Sequence, residues 1–457
     1  MKKLICFSAL FLFIFINYSG NLPCASKTNE MYVSPAGSDK NPGTLTKPFK
    51  TISKAASWAV PGTIVYVKTG TYNESIEIKV SGEPGKYITF TNFDNDEVII
   101  EGKNLKTEDG FKLNNKNYIK IIGFKICNFS TSNEQLVPKG IFISGAGSNI
   151  ELKNNKIFNI RSAGTEHSNA HGIAIYGNTT EPITNLIIDG NEIFNCTLGR
   201  SESLAINGNV ENFKVINNTV HDNDNIGIDF IGHEGVCPDP LKDQARNGIC
   251  ANNIVYNIDS YSNPAYNKER AAAGIYVDGG KNITIESNTI YGCNYGIEIG
   301  CENKGKLTSN ITVTQNIVHN CHVSGISFGG YAKDTGRVKD CTFLNNTLYG
   351  SGTLNNPDNQ YGEVNIQWAQ DCTFKNNVFF AKAYGGTNPF GVTNWDTDSF
   401  SGIVFENNIW YTSTANPEDL SFIINSNEIR GFEQWLLTGQ DKHSVFRKPD
   451  IKILTEK

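Results

Sequence analysis

The chain has 457 residues, a formal net charge of −6 and no run of basic residues. This charge balance argues against nucleic acid as a partner, because nucleic-acid-binding proteins concentrate lysine and arginine on one face or segment. The length allows a large core, and a repeat protein of this size need not divide into separate domains, because it grows along one axis.

The first 26 residues have the pattern of a secretory signal peptide. A short basic start is followed by an apolar run from Leu4 to Ile16 and by small residues around Ala25. The apolar run is too short to span a bilayer comfortably, and no other segment is apolar enough to do so. We therefore predict a secreted, extracellular protein without a membrane span, and we expect it to be a monomer.

Residues 27–109 are predicted to form the N-terminal cap and the first coils of a solenoid. Residues 31–39 (MYVSPAGSD) indicate a strand and a turn, and Phe49 to Ala59 have the spacing of an amphipathic helix that Pro61 and Gly62 end. A helix at this position would cover the open end of the core, where an exposed strand edge would otherwise invite aggregation. We therefore predict an N-terminal capping helix.

Nine asparagines recur at near-constant spacing between residues 110 and 411. Each opens the pattern asparagine, any residue, aliphatic or aromatic residue, and neighbours are 27 to 36 residues apart. They are Asn155, Asn191, Asn218, Asn253, Asn288, Asn316, Asn346, Asn377 and Asn408. A repeat of this length, built of short apolar alternations, is typical of a solenoid. Asparagine tolerates left-handed backbone, so each is expected at a tight corner, with its amide hydrogen-bonded between coils.

These repeats predict an all-β fold, a single-stranded right-handed parallel β-helix. Residues 110–411 form its repeats, and residues 412–457 are predicted to form a C-terminal cap. The alternative is an all-β sandwich with asparagine-rich turns. The strands of a sandwich do not keep one residue type in register nine times, and the sequence therefore favours the solenoid.

Glycine-flanked strands alternate with the asparagine strands and place one column of side chains on the outer surface. Because successive residues of a strand face opposite sides, this column is predicted to run through Lys112, Phe142, Ala174, Ala205, Asp229, Tyr276, Glu298 and Ser327. Asp278 lies two residues beyond Tyr276 on the same face. Asp229 and Glu298 are two strand spacings apart, roughly 9–10 Å.

Two insertions border the coils that carry these acids, at residues 233–248 and 258–273. Long loops on an otherwise regular solenoid are common places for function. Arginines there could bind a carboxylate of a substrate. The predicted substrate-binding residues lie in these insertions or on a neighbouring coil: His233, Glu234, Asn207, Arg246 and Arg270.

The group of acids suits three kinds of chemistry. One protonated and one ionised carboxyl can hydrolyse a glycosidic bond, and inverting enzymes separate the two by roughly 6.5–9.5 Å. Carboxylate oxygens can instead bind calcium, for which Asp229 and Asp224 are the candidate ligands. Bound calcium could in turn neutralise a uronate, so that a base removes the adjacent proton. The remaining alternative is that acids on the outside of a solenoid are simply solvated.

The predicted catalytic residues are Asp229, Glu298, Asp278 and Tyr276. Asp229 and Glu298 would be the acid and the base, with Asp278 as an assisting carboxylate. Tyr276 could stack on a sugar, transfer a proton, or only shield the sheet.

Eleven cysteines would suggest disulfides in an exported chain. Cys237 and Cys250 bracket the first insertion and are the best candidates for such a bond. The cysteines that recur in the repeat columns can instead be small apolar residues stacked in the core. No cysteine and histidine spacing resembles a zinc site.

The N-terminal segment resembles the start of exported β-helix enzymes of the pectate-lyase superfamily. The matching residues are Tyr32-Val-Ser-Pro-Ala-Gly-Ser-Asp, Asn41-Pro-Gly-Thr and Pro61-Gly-Thr-Ile-Val-Tyr-Val. They are similar to pectate lyases of family nine and equally to several β-helix glycoside hydrolase families. The closing Asp441-Lys-His-Ser-Val also resembles their C-terminal segment. The resemblance implies the β-helix fold and, less specifically, carbohydrate chemistry.

The resemblance is weaker where the lyases carry their chemistry. In family-nine lyases an Asp-Asp-Gly-x-Asp run binds calcium, and the strand one coil later carries a catalytic lysine. Here Asp229 keeps the last aspartate, but Asn225 and Ile226 replace the first pair. Tyr276 stands at the lysine position, and Ala205 stands where another aspartate is expected. The residues therefore do not support the calcium-assisted lysine mechanism.

The sequence as a whole predicts an exported enzyme that cleaves glycosidic bonds of a uronate-containing polysaccharide, by hydrolysis or by lyase elimination. Calcium is the candidate cofactor. Two other functions stay open, a uronate epimerase and a non-catalytic β-helix that binds glycan or decorates the cell surface.

Overall fold

The computed structural model describes residues 29–103, 105, 108–397 and 399–450. The predicted signal peptide, residues 1–26, lies outside these residues. The chain winds through about 13 turns of a right-handed parallel β-solenoid, so the predicted fold class is confirmed. Each complete turn contributes strands to three faces.

The first face carries the outer column of acids. Its strands are Ile76–Ile78, Asp109–Ile122, Lys139–Lys153, His171–Gly177, Leu204–Gly208, Ile228–Ile231, Ala273–Asp278, Tyr295–Gly300, Ser324–Gly329, Val364–Ile366, Phe390–Thr393 and Ser421–Ile424. The strand Asn427–Arg430 pairs with the last of these in antiparallel fashion.

The second face follows the first along the chain, and the long strands Asp109–Ile122 and Lys139–Lys153 run through both. Its other strands are Asn29–Val33, Thr63–Val67, Ile88–Asn92, Ile183–Asp189, Val210–Ile216, Arg246–Ala251, Lys281–Glu286, Leu307–Thr314, Arg337–Lys339, Thr342–Leu344, Ala369–Gln370, Thr373–Lys375, Phe400–Ser401 and Val404–Glu406.

The third face is a parallel sheet of short strands. They are Gly70–Tyr72, Val98–Glu101, Lys125–Cys127, Lys156–Phe158, Glu192–Phe194, Thr219–Asn223, Ile254–Ile258, Thr289–Tyr291, Ile317–His319, Thr347–Tyr349, Val378–Ala381, Ile409–Thr412 and Val445–Phe446.

The core is a stack of apolar side chains along the solenoid axis. On the first face the inward column runs Ile173, Leu204, Ile228, Ile275, Ile297 and Ile326, each paired with the next in register. All six are fully buried. Parallel strands in register place like residues above one another, so a single alternation pattern builds the whole core.

The asparagine ladder is confirmed. The Nδ2 group of Asn253, for example, donates to the Val215 carbonyl oxygen at 3.0 Å and to Asn288 Oδ1 at 2.9 Å. The same side-chain bond links every neighbouring pair of the nine asparagines. Asn408, the last of them, donates to Asp441 Oδ1 at 2.8 Å.

The expected left-handed conformation of these asparagines is wrong by one position. The residue before each ladder asparagine is left-handed, with φ between 53° and 68°. These residues are Asn154, Gly190, Asn217, Asn252, Ser287, Gln315, Asn345, Asn376 and Asn407. The corner therefore lies one residue earlier, and the ladder asparagine itself turns its amide into the interior, where it bonds the carbonyl oxygens of the neighbouring coil.

The predicted N-terminal helix spans Ile52–Trp58. Thr51 caps it by accepting from the Lys54 amide, and the Glu74 carboxylate accepts from the Ile52 amide at 2.8 Å. Its buried residues belong to the same apolar cluster as the first strands. The capping role of this helix stays a prediction. The boundaries of the repeat region at residues 109 and 411 also stay predictions. A second helix spans Phe432–Leu437, and one-turn 3-10 helices lie at Ser260–Ser262, Pro264–Tyr266 and Pro417–Asp419.

Nine cysteines fall within the described residues, and all of them are buried free thiols. Cys237 and Cys250 do not pair with each other: Cys237 Sγ lies 3.3 Å from the Thr179 carbonyl oxygen, and Cys250 Sγ lies 3.3 Å from the Asn253 amide. Among the described residues, no helix is long and apolar enough to cross a membrane.

Candidate active site

The predicted outer column is in register on the first face. Strand pairing joins Lys112 to Phe142 and then runs through Ala174, Ala205, Asp229, Tyr276, Glu298 and Ser327, each residue opposite the next. The column continues to Asn365 and Thr393. Asp229 and Glu298 therefore lie two strands apart, with Tyr276 between them.

These outward side chains are nevertheless buried. Asp229 and Glu298 are only 2% and 6% exposed, and Tyr276 and Asp278 are buried as well. Loops on both edges of the first face rise above the sheet and cover it. The acids are therefore not solvated surface groups, and that alternative is excluded for them.

The loops leave a cleft of about 570 Å³ above the sheet, a size within the usual range for ligand sites. Tyr276, Glu298 and Ser327 belong to its floor. One wall is formed by Tyr266 and Ala271, from the segment before a strand, and by Tyr295, the first residue of the next strand. The segments after the strands form the opposite wall, with Glu302, Tyr331 and Thr335. The predicted second insertion thus supplies part of the cleft.

Hydrogen bonds connect the floor of the cleft to the wall after the strands. The Tyr276 hydroxyl lies 3.3 Å from Glu302 Oε1, and the Tyr331 hydroxyl lies 3.0 Å from Glu298 Oε1, both within hydrogen-bond distance. The two hydroxyls are also bonded to each other. Three successive bonds limit the separation of the two carboxyl oxygens to about 9 Å.

The cleft favours protonated carboxyls. Burial raises the pKa of Glu298 to about 8, and the charges of Glu302 and Asp278 add to the rise, while the bond from Tyr331 opposes it. Burial also raises the pKa of Asp278 to about 8 and the pKa of Asp229 well above its usual value. The neighbouring charges that add most to these rises are carboxylates, because like charges disfavour ionisation.

A second group of polar atoms lies beside the cleft acids. Asn207 Nδ2 donates to Glu234 Oε2 at 2.7 Å, and the charge of Glu234 raises the pKa of both Asp229 and Asp278. Asn207 Oδ1 and Asp229 Oδ1 are buried without a hydrogen-bond partner. Unpaired buried oxygens are costly, so they indicate a place for a ligand or an ordered water.

Calcium fits this group only in part. Carboxylate and amide oxygens are the donors that calcium prefers. Within the described part of the chain, however, no three acidic, histidine or cysteine side chains converge closely enough to hold a metal ion. Asp224, the predicted partner of Asp229, accepts from the Leu198 amide at 2.6 Å. We therefore derive no chemical step through a metal.

Of the predicted site residues, Tyr276 and Glu298 line the cleft, and His233, Arg246 and Arg270 are among those that do not. His233 lies in the turn after the Ile228–Ile231 strand, with its Nε2 atom 3.2 Å from Gln244. Arg246 forms an ion pair with Glu211 at 2.7 Å, and Arg270 lies 3.3 Å from the Asp259 carboxylate. Both arginines are therefore neutralised by acids of the protein itself.

The sequence reasoning missed Glu202, Glu302 and Tyr331. Glu202 precedes a first-face strand, and burial and neighbouring acids raise its pKa to about 8. Glu302 and Tyr331 each stand two residues after the end of a first-face strand in successive coils. That shared position was the available signal, because equivalent positions of a solenoid stack on one edge.

Two family models match the chain. They are described as Pel9A-like, right handed beta helix region, over residues 31–198, and right handed beta helix region, over residues 251–416. The uncharacterized protein YwoF of Bacillus subtilis (strain 168) is 38% identical over 327 residues, which are 71% of this chain and 69% of YwoF.

Two further comparisons are more limited. Pectate lyase PEL9 of Emericella nidulans is 35% identical over 78 residues, only 17% of this chain and 19% of that protein. The solved A-module of the mannuronan C-5 epimerase AlgE6 of Azotobacter vinelandii matches with a TM-score of 0.58 and 13% identity. That match covers 87% of this chain and 94% of the module, and at this identity it reports the fold alone.

Proposed function

Because this chain belongs to the right-handed parallel β-helix proteins of the pectate-lyase superfamily, we propose that it is a secreted enzyme that hydrolyses glycosidic bonds of a uronate-containing polysaccharide. The observation that carries the proposal is the pair of glutamates in the cleft. Glu298 and Glu302 line one cavity and lie at the two ends of a single hydrogen-bonded chain.

Hydrolysis needs one carboxyl that holds a proton and one that does not. Glu298 is suited to be the acid, because its pKa of about 8 keeps it protonated at neutral pH. It would give its proton to the glycosidic oxygen as the bond from that oxygen to the anomeric carbon breaks. A water molecule would attack the same carbon and lose its proton to a carboxylate of the acidic group. The separation of at most about 9 Å is compatible with the range of inverting enzymes and also with the shorter separation of retaining ones.

A uronate-containing substrate is supported by two lines. The first is the partial sequence match to pectate lyase PEL9, since pectate is a polymer of uronates. In addition, the Glu298 carboxyl stays protonated at neutral pH and so does not repel an anionic sugar. The secreted location is supported by the signal-like pattern of the first 26 residues.

The test is to incubate the full mature chain with a panel of polyuronates and neutral glycans. Each reaction is run with calcium and with a chelator, and is followed by three readings: new reducing ends, the ultraviolet absorbance of unsaturated uronates, and the nuclear magnetic resonance signals of the sugar ring. We expect reducing ends to appear without unsaturated products. Unsaturated products would instead identify a lyase. Ring signals that show a changed sugar stereochemistry without cleavage would identify an epimerase. Binding without any change of the glycan would overturn the catalytic proposal, and loss of activity with the chelator would establish a metal requirement.

Gly300 is expected to position Tyr276 for this reaction. A Cβ atom at residue 300 would lie 2.8 Å from the Tyr276 hydroxyl oxygen and 3.1 Å from its ring. We expect Gly300→Ala to lower kcat between about tenfold and a hundredfold, because small displacements of catalytic groups have effects of this size. The measurement is a double-mutant cycle with Tyr276→Phe, which removes the atom that the new methyl group would strike.

The cycle separates this effect from a general disturbance of the strand. If Gly300 acts through the hydroxyl, the alanine should cost much less in the Tyr276→Phe background. An equal loss in both backgrounds would show that Gly300 does not act through Tyr276.

A further inference from the structure

Four side chains in the cleft form an unbroken line of hydrogen bonds. It runs from the Glu302 carboxyl to the Tyr276 hydroxyl, on to the Tyr331 hydroxyl, and ends at the Glu298 carboxyl. The members come from three successive coils and from both the floor and the wall of the cleft. Tyr331 is 41% exposed as a residue and lines the cavity.

The number of protons in this line is set by its geometry. Four oxygen atoms in a row make three hydrogen bonds, and each bond holds one proton. A phenol carries a single proton, so Tyr276 and Tyr331 together supply two. Burial raises the pKa of both tyrosines well above 10, so neither loses its proton near neutral pH. The third proton must therefore come from one of the two glutamates, and the Oε1 atom of the other glutamate accepts without a proton of its own.

We propose that Tyr276 and Tyr331 are a proton relay between Glu302 and Glu298, and that Glu302 is the catalytic base opposite Glu298. This assignment rests on the hydrolysis proposed above. Either glutamate can hold the extra proton. When each of the three protons crosses its own hydrogen bond, the protonated end of the line changes from one glutamate to the other. No other atom has to change place.

The relay restores the enzyme after each turnover. During hydrolysis Glu298 gives its proton to the leaving oxygen, and Glu302 takes a proton from the attacking water, so the pair ends with its charges exchanged. Glu302 then donates to the Tyr276 oxygen, Tyr276 to Tyr331, and Tyr331 to Glu298. The net reaction consumes one water and one glycosidic bond and yields two hydroxyl groups. The enzyme returns to its starting state without a proton from solvent.

The surroundings of the line hold it in the state with one shared proton. Asp278 accepts from the Glu302 backbone amide at 2.9 Å. Burial raises the pKa of Glu302, and the charge of Glu234 adds to the rise. The charges of Glu302 and Asp278 likewise add to the rise in the pKa of Glu298. The opposite wall presents the neutral residues Tyr266, Ala271 and Tyr295. The acids on one side repel additional negative charge, and the neutral groups on the other side do not compensate it. The state in which Glu298 and Glu302 are both ionised is therefore disfavoured.

The bonding of these tyrosines differs from that of tyrosines that only hold the fold. The Tyr384 hydroxyl donates to the Gly350 carbonyl oxygen at 2.8 Å, and the Tyr72 hydroxyl donates to the Lys68 carbonyl oxygen at 2.8 Å. A backbone carbonyl oxygen cannot take up and release a proton near neutral pH. A carboxyl can, and Tyr276 and Tyr331 each end on one.

The first test needs no substrate. Infrared difference spectra of the full chain, wild type against Glu298→Gln and against Glu302→Gln, count the protonated carboxyls of the pair at neutral pH. We expect one proton shared by the two glutamates in the wild type and two separately titrating carboxyls in Tyr331→Phe. Two protons or none in the wild-type pair would overturn the relay, whether or not the protein hydrolyses a glycan.

The second test uses turnover. Wild-type kcat should not depend on the concentration of buffer, because the relay returns the proton from Glu302 to Glu298 within the protein. In Tyr331→Phe we expect kcat to fall about tenfold or more at low buffer, with KM unchanged, and to recover as a small carboxylate buffer is added. Tyr384→Phe is the matched control, since it removes a half-buried, hydrogen-bonded hydroxyl outside the cleft, and it should show no buffer dependence. A loss in Tyr331→Phe that no buffer restores, or no loss at all, would contradict the relay while leaving the hydrolysis itself intact.

Discussion

Glu298→Gln is expected to lower kcat/KM by about a thousandfold, a loss within the range of general acid catalysis. The amide has nearly the shape of the carboxylic acid but cannot give a proton to the leaving oxygen. Initial rates of reducing-end formation on the best substrate of the panel measure the effect. Glu286→Gln makes the same substitution on the second face, outside the cleft, and should keep wild-type rates.

The dependence of activity on pH follows from the same residue. The pKa of Glu298 is raised to about 8, so the protonated form that acts as the acid is present below that pH and is lost above it. Activity should therefore fall as the pH rises through about 8. An alkaline limb near the ordinary pKa of glutamate would show that Glu298 is not the acid.

The same variant also separates catalysis from folding. A carboxyl whose pKa is raised in the folded state binds its proton more tightly there than in the unfolded chain. Its ionisation therefore reduces stability as the pH rises from the ordinary glutamate pKa through about 8. Glu298→Gln cannot ionise and should unfold no more easily than the wild type at alkaline pH. A variant that is both inactive and much less stable would point to a structural role.

Asn253→Ala is expected to reduce the free energy of unfolding by about 3 kcal/mol. Asn253 Oδ1 accepts from the Asn218 backbone amide at 2.9 Å, and its Nδ2 group donates to the Val215 carbonyl oxygen at 3.0 Å. The alanine leaves both backbone groups buried without these bonds, and each such loss costs about 1–3 kcal/mol. Urea unfolding followed by fluorescence measures the change, and hydrogen exchange locates it in the adjacent coils.

The control for the ladder variant is Asn114→Ala. Asn114 is an exposed asparagine of the first face whose one side-chain bond, from the neighbouring Asn115, is also exposed. Its replacement should change the free energy of unfolding by less than about 0.5 kcal/mol, as is usual for surface positions. Equal effects at Asn253 and Asn114 would mean that the ladder contributes no more than a surface amide.

The repeat made the fold predictable in detail. Each coil adds the same alternation of inward and outward residues. The alignment of each strand is therefore checked against the strands of the neighbouring coils. The position of Asp229 opposite Tyr276 and of Tyr276 opposite Glu298 follows from this alone. The conformation of the ladder asparagines was less accessible, because the sequence does not tell which of two adjacent corner residues takes the left-handed conformation.

The site was predictable only where it belongs to the repeat. Asp229, Tyr276 and Glu298 stand in the regular column and lie together as expected. Arg270 comes from an irregular insertion and Arg246 begins the strand that follows the other insertion, and both are engaged with acids elsewhere. The path of a long loop depends on contacts between residues distant in the chain, and composition gives no measure of those contacts.

The sequence by itself determined the solenoid, its register and the column of acids, because these depend on local alternation repeated about every thirty residues. Only the tertiary structure decided which groups act together. Loops from separate coils bury the acids, raise the pKa of Glu298 to about 8, and bring Tyr331 and Glu302 to the cleft. Burial and the meeting of distant loops arise when the whole chain is packed, and the linked pair of carboxyls exists only then.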